Sequence, residues 1–204
     1  MKIIYVHGLD SSANSMKGLL LEAYCAEHYP DIEVVRPDLN LPPAEVFELL
    51  CELANEQEDK GKTTLLMGSS LGGYFTTLVS NHTGCPAALL NPSTQPHISL
   101  QRFLTGQSKD IDSDTVIYQS TGGWQITPTH LTWFADHRLA EVDHPEQVLA
   151  WIKAGDELLD ATIATDFYRE QGVQVILQEG GDHRMTDFAE LLPTLLPKAL
   201  NLLM

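Results

Sequence analysis

Apolar residues fall along the chain in two alternating kinds of run. Short runs with the length of buried strands cover Lys2 to Val6, Ile32 to Pro37, the stretch from Thr63 into Met67-Gly68-Ser69-Ser70, Ala87 to Pro92, Val148 into Gly155-Asp156, and Val173 to Gln178. Between them the apolar positions take helical spacing. Leu19, Leu20, Ala23 and Tyr24 mark a helix from about Ser15 to His28, stopped by Pro30. Val46, Leu49, Leu50 and Leu53 mark a second, opened by Pro42-Pro43 and running to about Glu58, where Lys60-Gly61-Lys62 breaks it. Further helices are predicted from Tyr74 to Asn81, from Asp160 to Gln171, and from Thr186 to the carboxyl terminus, the last kinked or divided at Pro193 and Pro197. Strands alternating with helices imply βαβ units and a mainly parallel, doubly wound α/β sheet covered on both faces.

The pattern lapses once. From about residue 95 to 147 no period is clear, and Gly106, Gly122 and Gly123 mix with Phe103, Tyr118, Trp124, Trp133 and Phe134. So long an irregular stretch inside a compact domain is expected to be a lid or binding insertion. The 204 residues otherwise suit one domain, 1–204, with a substantial core.

Composition narrows the class. With 43% apolar and 20% charged residues the chain is an ordinary globular one. No segment approaches the roughly 18 apolar residues of a membrane span. The amino-terminal apolar run is too short for a signal peptide, so a cytoplasmic location is expected. Cys25, Cys51 and Cys85 are widely spaced and odd in number, which suits buried thiols and argues against a disulfide framework or zinc site. A formal net charge of −16 repels nucleic acid and anionic membranes, leaving a small molecule as the expected partner.

Candidate chemistry centres on Gly68-Ser69-Ser70-Leu71-Gly72, a Gly-x-Ser-x-Gly signature between a strand and a helix. A nucleophile elbow needs this, because the serine sits on a turn so tight that a Cβ two places either side would collide with the opposite arm. A glycine-rich turn without chemistry would show the same five residues, so the rest of the chain has to decide. Ser70, Asp156 and His183 each follow a predicted strand, in the order nucleophile, acid, histidine. His183 would take the proton of Ser70, and Asp156 would hold the imidazole in the required tautomer. Asp160 is a rival acid. Asp182 adjoins His183, too close to orient its ring. The backbone N–H groups of Leu71 and of Leu9, in the loop His7-Gly8-Leu9, would form an oxyanion hole. His97, His130, His137 and His144 have no metal-ligand spacing, and no phosphate-binding glycine loop is present, so no metal or cofactor is implied.

His7-Gly8-Leu9-Asp10-Ser11-Ser12, Gly68-Ser69-Ser70-Leu71-Gly72-Gly73-Tyr74, Asn91-Pro92, Gly155-Asp156-Glu157-Leu158-Leu159-Asp160 and Gly180-Gly181-Asp182-His183 resemble the bacterial YqiA/YcfP-like esterases. The resemblance covers essentially the whole chain and is weakest between about Lys109 and Gln147. It implies a small α/β-hydrolase fold, with Ser70, Asp156 and His183 aligned to the family's triad. The expected function is a serine esterase acting on small acyl esters through an acyl-enzyme. Acyl-coenzyme A thioesters are the alternative substrates, and a non-catalytic binding module on the same scaffold is the alternative of another class. Asp110, Asp112, Asp114, Asp136, Glu141, Asp143 and Glu146 outnumber Arg102, Lys109 and Arg138 in the irregular segment, so an entrance overhung by it would be acidic.

Overall fold

The computed structural model describes residues 1–56, 63–106 and 111–204. Six strands, β1 (Lys2–Val6), β2 (Glu33–Val35), β3 (Thr64–Ser69), β4 (Ala87–Leu90), β7 (Val148–Lys153) and β8 (Gln174–Gln178), form one sheet in the order β2-β1-β3-β4-β7-β8, with every pairing parallel. The period of two divides each strand between two cores. Ile4, Val6, Leu66, Ala150 and Ile152 face one core, and Ile3, Tyr5, Leu65, Met67, Leu149 and Trp151 face the other. Helices α2 (Pro43–Asn55), α3 (Leu71–Thr83) and α6 (Ala161–Glu170) cover the first face. Helices α1 (Met16–His28) and α7 (Phe188–Leu200) cover the second.

Helix boundaries follow local chemistry. The Ser15 side chain caps α1 through the N–H of Gly18, Pro43 opens α2, and Asp160 caps α6 through the N–H of Thr162. The predicted end of α2 near Glu58, with the break at Lys60-Gly61-Lys62, lies outside the described residues. Helix α7 is not divided at Pro193 and Pro197 but continues through both. Both prolines lie on its exposed side, whereas Leu191, Leu192, Leu195 and Leu196 are buried. The carbonyls that the prolines leave unbonded therefore lie towards water, and burial of the leucine stripe outweighs the missing donors.

The stretch between β4 and β7 has more regular structure than its sequence suggests. It holds a short helix α4 (Pro96–Ser99) continued by a 3₁₀ turn (Leu100–Leu104), and a hairpin of β5 (Tyr118–Gln119) and β6 (Gln125–Ile126). A helix α5 (Pro128–Asp136) and a 3₁₀ turn (Pro145–Gln147) follow. Trp124, Ile126, Leu131 and Phe134 bury themselves against α2 and α3, joining the first core. Among the described residues no helix is long and apolar enough to cross a membrane.

The strand order reverses direction at β1, where the chain goes first to β2 on one side and then to β3 on the other. In an open parallel sheet the crevice beyond the carboxyl ends at such a reversal is where ligands bind. The loops after β1 and β3 meet there.

Candidate active site

Ser70 follows β3 with φ 58° and ψ −124°, a conformation non-glycine residues rarely adopt, at a cost on the order of 1–3 kcal/mol. Its surroundings over-determine it. The Ser70 N–H donates to the carbonyl of Leu90 (3.1 Å), and its carbonyl accepts from Gly73 (2.8 Å) and Ser93 (3.0 Å). A Cβ on Gly68 would strike the carbonyl of Gly72, the opposite arm of the turn, as expected. A Cβ on Gly72 would instead strike the carbonyls of Val6 and His7 at the end of β1. The second glycine therefore admits a neighbouring strand, and it brings the loops after β1 and β3 together.

The loop after β8 carries His183 over this elbow. Its Nε2 lies 2.9 Å from the Oγ of Ser70, and its Nδ1 lies 2.7 Å from Oδ2 of Asp156, in the loop after β7. The side chain of Asp156 is 2% exposed and that of His183 is 11% exposed. Oδ1 of Asp156 accepts the N–H groups of Leu158 (2.9 Å) and Leu159 (2.8 Å), so both carboxylate oxygens are engaged. Asp160 is instead occupied with capping α6. The Asp182 carboxylate accepts from the N–H and hydroxyl of Thr186, and those bonds hold its carboxyl below the usual range. Three groups from three strand ends are thus brought into one hydrogen-bonded row, and the two rival aspartates stay outside it.

The loop after β1 is held by a residue whose part the sequence did not indicate. Buried His7 accepts the N–H of Leu39 at Nε2 (3.0 Å), so Nδ1 carries the proton facing the carbonyl of Gly8 (2.9 Å). Burial lowers its pKa and keeps the ring neutral. In a planar trans peptide the Gly8 carbonyl and the Leu9 N–H point in opposite directions, so His7 also fixes where the Leu9 N–H is aimed. Among the described residues, the N–H groups of Leu9 and Leu71 have no hydrogen-bond partner within the chain. Leu71 is the first residue of α3, where backbone N–H groups are free and the helix dipole favours negative charge.

Ser70 and His183 open on a cleft of about 670 Å³ lined by Tyr5, Leu9, Leu158, Leu159 and Phe188 among its apolar residues. Its charged lining bears on the acidic entrance expected if the 95–147 segment overhung the site. Lys17, Arg102 and Arg184 face Asp10 and Glu157, and from the 95–147 stretch the cleft takes Arg102 and, among the described residues, no carboxylate. The two acids are engaged within the fold. Asp10 accepts from the Tyr118 hydroxyl (2.8 Å) and the Thr121 N–H (3.0 Å), and Glu157 accepts from the His183 N–H (2.9 Å). The three cations form no ion pair among the described residues. Burial pushes the Lys17 amine down to about 8.

The remaining candidates play local parts. His130 accepts from the N–H of Thr127 in the cap of α5, and Nδ1 of His137 lies 2.8 Å from the carbonyl of Trp133. Among the described residues no group of His, Cys, Asp and Glu is arranged to hold a metal. Cys25, Cys51 and Cys85 are buried free thiols.

A family model described as an uncharacterised protein family, UPF0227, matches residues 2–198. Similar solved structures include Est1E from Butyrivibrio proteoclasticus, at 15% identity over 99% of this chain and 88% of that one, TM-score 0.69. The esterase domain of a Rhodothermus marinus protein is 17% identical over 97% of this chain and 85% of that one, TM-score 0.64. Mouse alpha/beta hydrolase domain-containing protein 10 is 20% identical over 100% of this chain and 90% of that one, TM-score 0.64. These likenesses establish the α/β-hydrolase fold.

Proposed function

The chain belongs to the UPF0227 (YqiA/YcfP) family, and we propose that it is a serine esterase that hydrolyses small acyl esters through an acyl-enzyme. The reading rests on one observation, the unbroken row from Asp156 Oδ2 through His183 to Ser70 Oγ. In this reading the Ser70 oxygen attacks the ester carbonyl while His183 Nε2 takes its proton. The carbonyl oxygen gains charge, and the N–H groups of Leu9 and Leu71 are the donors available to it. Collapse of the tetrahedral adduct breaks the bond to the alkoxide, which receives the proton from Nε2. A water activated by the same nitrogen then cleaves the acyl-serine and restores the hydroxyl. Asp156 keeps Nδ1 protonated and stabilises the imidazolium throughout.

The test is covalent. An alkyl fluorophosphonate should label wild-type protein at Ser70 and leave Ser70→Ala unlabelled, and the variant should lose several orders of magnitude in kcat. Near-normal turnover by purified Ser70→Ala would refute the reading.

A second substrate class, the acyl-coenzyme A thioesters, is favoured by Lys17, Arg102 and Arg184 at the cleft, which form no ion pair among the described residues. A thiolate leaves as readily as an alkoxide under the same row of groups, and the phosphates of the leaving group would meet cations on an otherwise acidic molecule.

A further inference from the structure

The strand between those that carry Ser70 and Asp156 is β4, and it contributes nothing to the row of three. It is followed at once by Asn91, a 2%-exposed residue with φ 42°, in the left-handed region that asparagine tolerates better than most side chains. The Asn91 N–H donates to the carbonyl of Trp151 (3.0 Å), tying β4 to β7. Its side-chain Oδ1 accepts the N–H of Lys153 (2.8 Å), the last residue of β7 and three before Asp156. Its Nδ2 donates to the carbonyls of Asp182 (3.1 Å) and His183 (3.2 Å). The partners leave the amide one orientation, because two carbonyls require a donor and one N–H requires an acceptor.

We propose that Asn91 is a positioning residue for His183, acting through the backbone of the loop after β8. The His183 backbone is gripped on both sides, its N–H by the carboxylate of Glu157 and its carbonyl by Asn91. Its ring is then free only to turn about the side-chain bonds, and Asp156 and Ser70 hold its two nitrogens. The same Asn91 side chain holds the end of β7, so the acid and the histidine are referred to one buried amide. The histidine's own loop adds one turn, the Met185 N–H donating to the Asp182 carbonyl (3.1 Å), while the Asp182 carboxylate bonds forward to Thr186, and Gly180 and Gly181 both have positive φ, which gives that loop the conformational latitude of two glycines.

The inference rests on the serine-hydrolase reading, and the experiment separates the two. Phosphonate labelling and the Ser70→Ala rate decide that reading on wild-type and Ser70→Ala protein alone. Two further variants address Asn91. Asn91→Gly accepts the positive φ without strain and removes the whole clamp. Asn91→Asp keeps an acceptor for Lys153 and a side chain suited to the backbone, but sets an oxygen against the two carbonyls. Rates are expressed per folded molecule, read from near-ultraviolet circular dichroism at the assay temperature. Both variants are expected to lose about 10²-fold in kcat, the penalty of misplacing a reacting group by about 1 Å, with KM nearly unchanged. The downfield resonance of the His183 Nδ1 proton should broaden or vanish in both. A folded variant of either kind with kcat within about threefold of wild type and that resonance intact would overturn the proposal, as would a loss of rate that only tracks the folded fraction. Native-state hydrogen exchange on wild-type protein gives a readout independent of both. The Lys153 amide should exchange as slowly as the interior amides of β7, and exchange at the rate of a surface loop would overturn the clamp itself.

Discussion

Replacing Asp156 by asparagine separates the tautomer of His183 from the shape of its surroundings. An asparagine has the same outline, yet its amide has no free choice of orientation. Turned one way, its NH₂ would face the N–H groups of Leu158 and Leu159, which lie 2.9 and 2.8 Å from Oδ1 in the wild-type protein, donor against donor. The oxygen therefore stays on that side, and the NH₂ takes the place of Oδ2, 2.7 Å from Nδ1 of His183. The ring must then accept at Nδ1 and carry its proton at Nε2, the nitrogen that faces Ser70. A nitrogen already protonated cannot take the serine's proton. In a serine protease the same tautomer error lowers kcat by about 10⁴, which is about 5.5 kcal/mol of transition-state stabilisation at about 1.36 kcal/mol per decade.

The fold should feel little of this, because the two loop N–H groups keep their acceptor. Asp160 is the internal control. Its carboxylate caps α6 through the N–H of Thr162 at 2.8 Å, and asparagine caps about as well. Turnover of a nitrophenyl ester by purified Asp156→Asn and Asp160→Asn, with thermal melts of both, gives the comparison. We expect Asp156→Asn to lose about 10³–10⁴ in kcat at an almost unchanged melting temperature, and Asp160→Asn to lose less than about tenfold. The reverse ranking, or an Asp156→Asn enzyme within about tenfold of wild type, would refute the tautomer argument.

Two other outcomes follow from the cleft and the elbow. Gly72→Ala should lower stability by at least the upper end of the about 1–3 kcal/mol that over-packing costs, because its Cβ meets backbone carbonyls of Val6 and His7 that cannot swing aside; an unchanged urea midpoint would contradict the close approach. For a short-chain acyl-coenzyme A, kcat/KM should fall as ionic strength rises from about 0.01 to 0.15 M, over which the Debye length contracts from about 30 to about 8 Å. It should fall again above about pH 8, where Lys17 gives up its proton, while a neutral ester of the same acyl group shows neither loss. A rise with salt would mean that the net charge of −16 outweighs the three cations of the cleft.

Much of the frame was legible because each signal was local. Uninterrupted apolar runs of four or five residues became β1, β4 and β7, and Ser15, Pro43 and Asp160 marked helix starts by chemistry that acts within one turn. The positions of Ser70, Asp156 and His183 at strand ends could be read for the same reason, since a doubly wound sheet sends every such end to one edge. The stretch 95–147 gave no period because its strands are two residues long, too short to show alternation. Helix α5 did leave a trace, Thr127-Pro128 before Leu131 and Phe134 at a spacing of three, but a single helical turn of apolar residues is a weak pattern.

What the sequence hid are residues whose partners are remote along the chain. Asn91-Pro92 after a strand has the composition of an ordinary turn, and its amide binds groups 62, 91 and 92 residues further on. His7 likewise reaches 32 residues to the N–H of Leu39, and Lys17 reaches 167 residues to the carbonyl of Arg184. No periodicity or spacing encodes such pairs. An acidic entrance required the 95–147 segment to overhang the site, and of its described residues the cleft takes Arg102 and no carboxylate. The cleft instead draws Lys17 from α1 and Arg184 from the loop after β8, the two elements that enclose it on the side of the second core. Net charge governs what approaches from a distance, but what is bound depends on the few charges that the fold gathers at one edge. In an acidic protein those few can have the opposite sign.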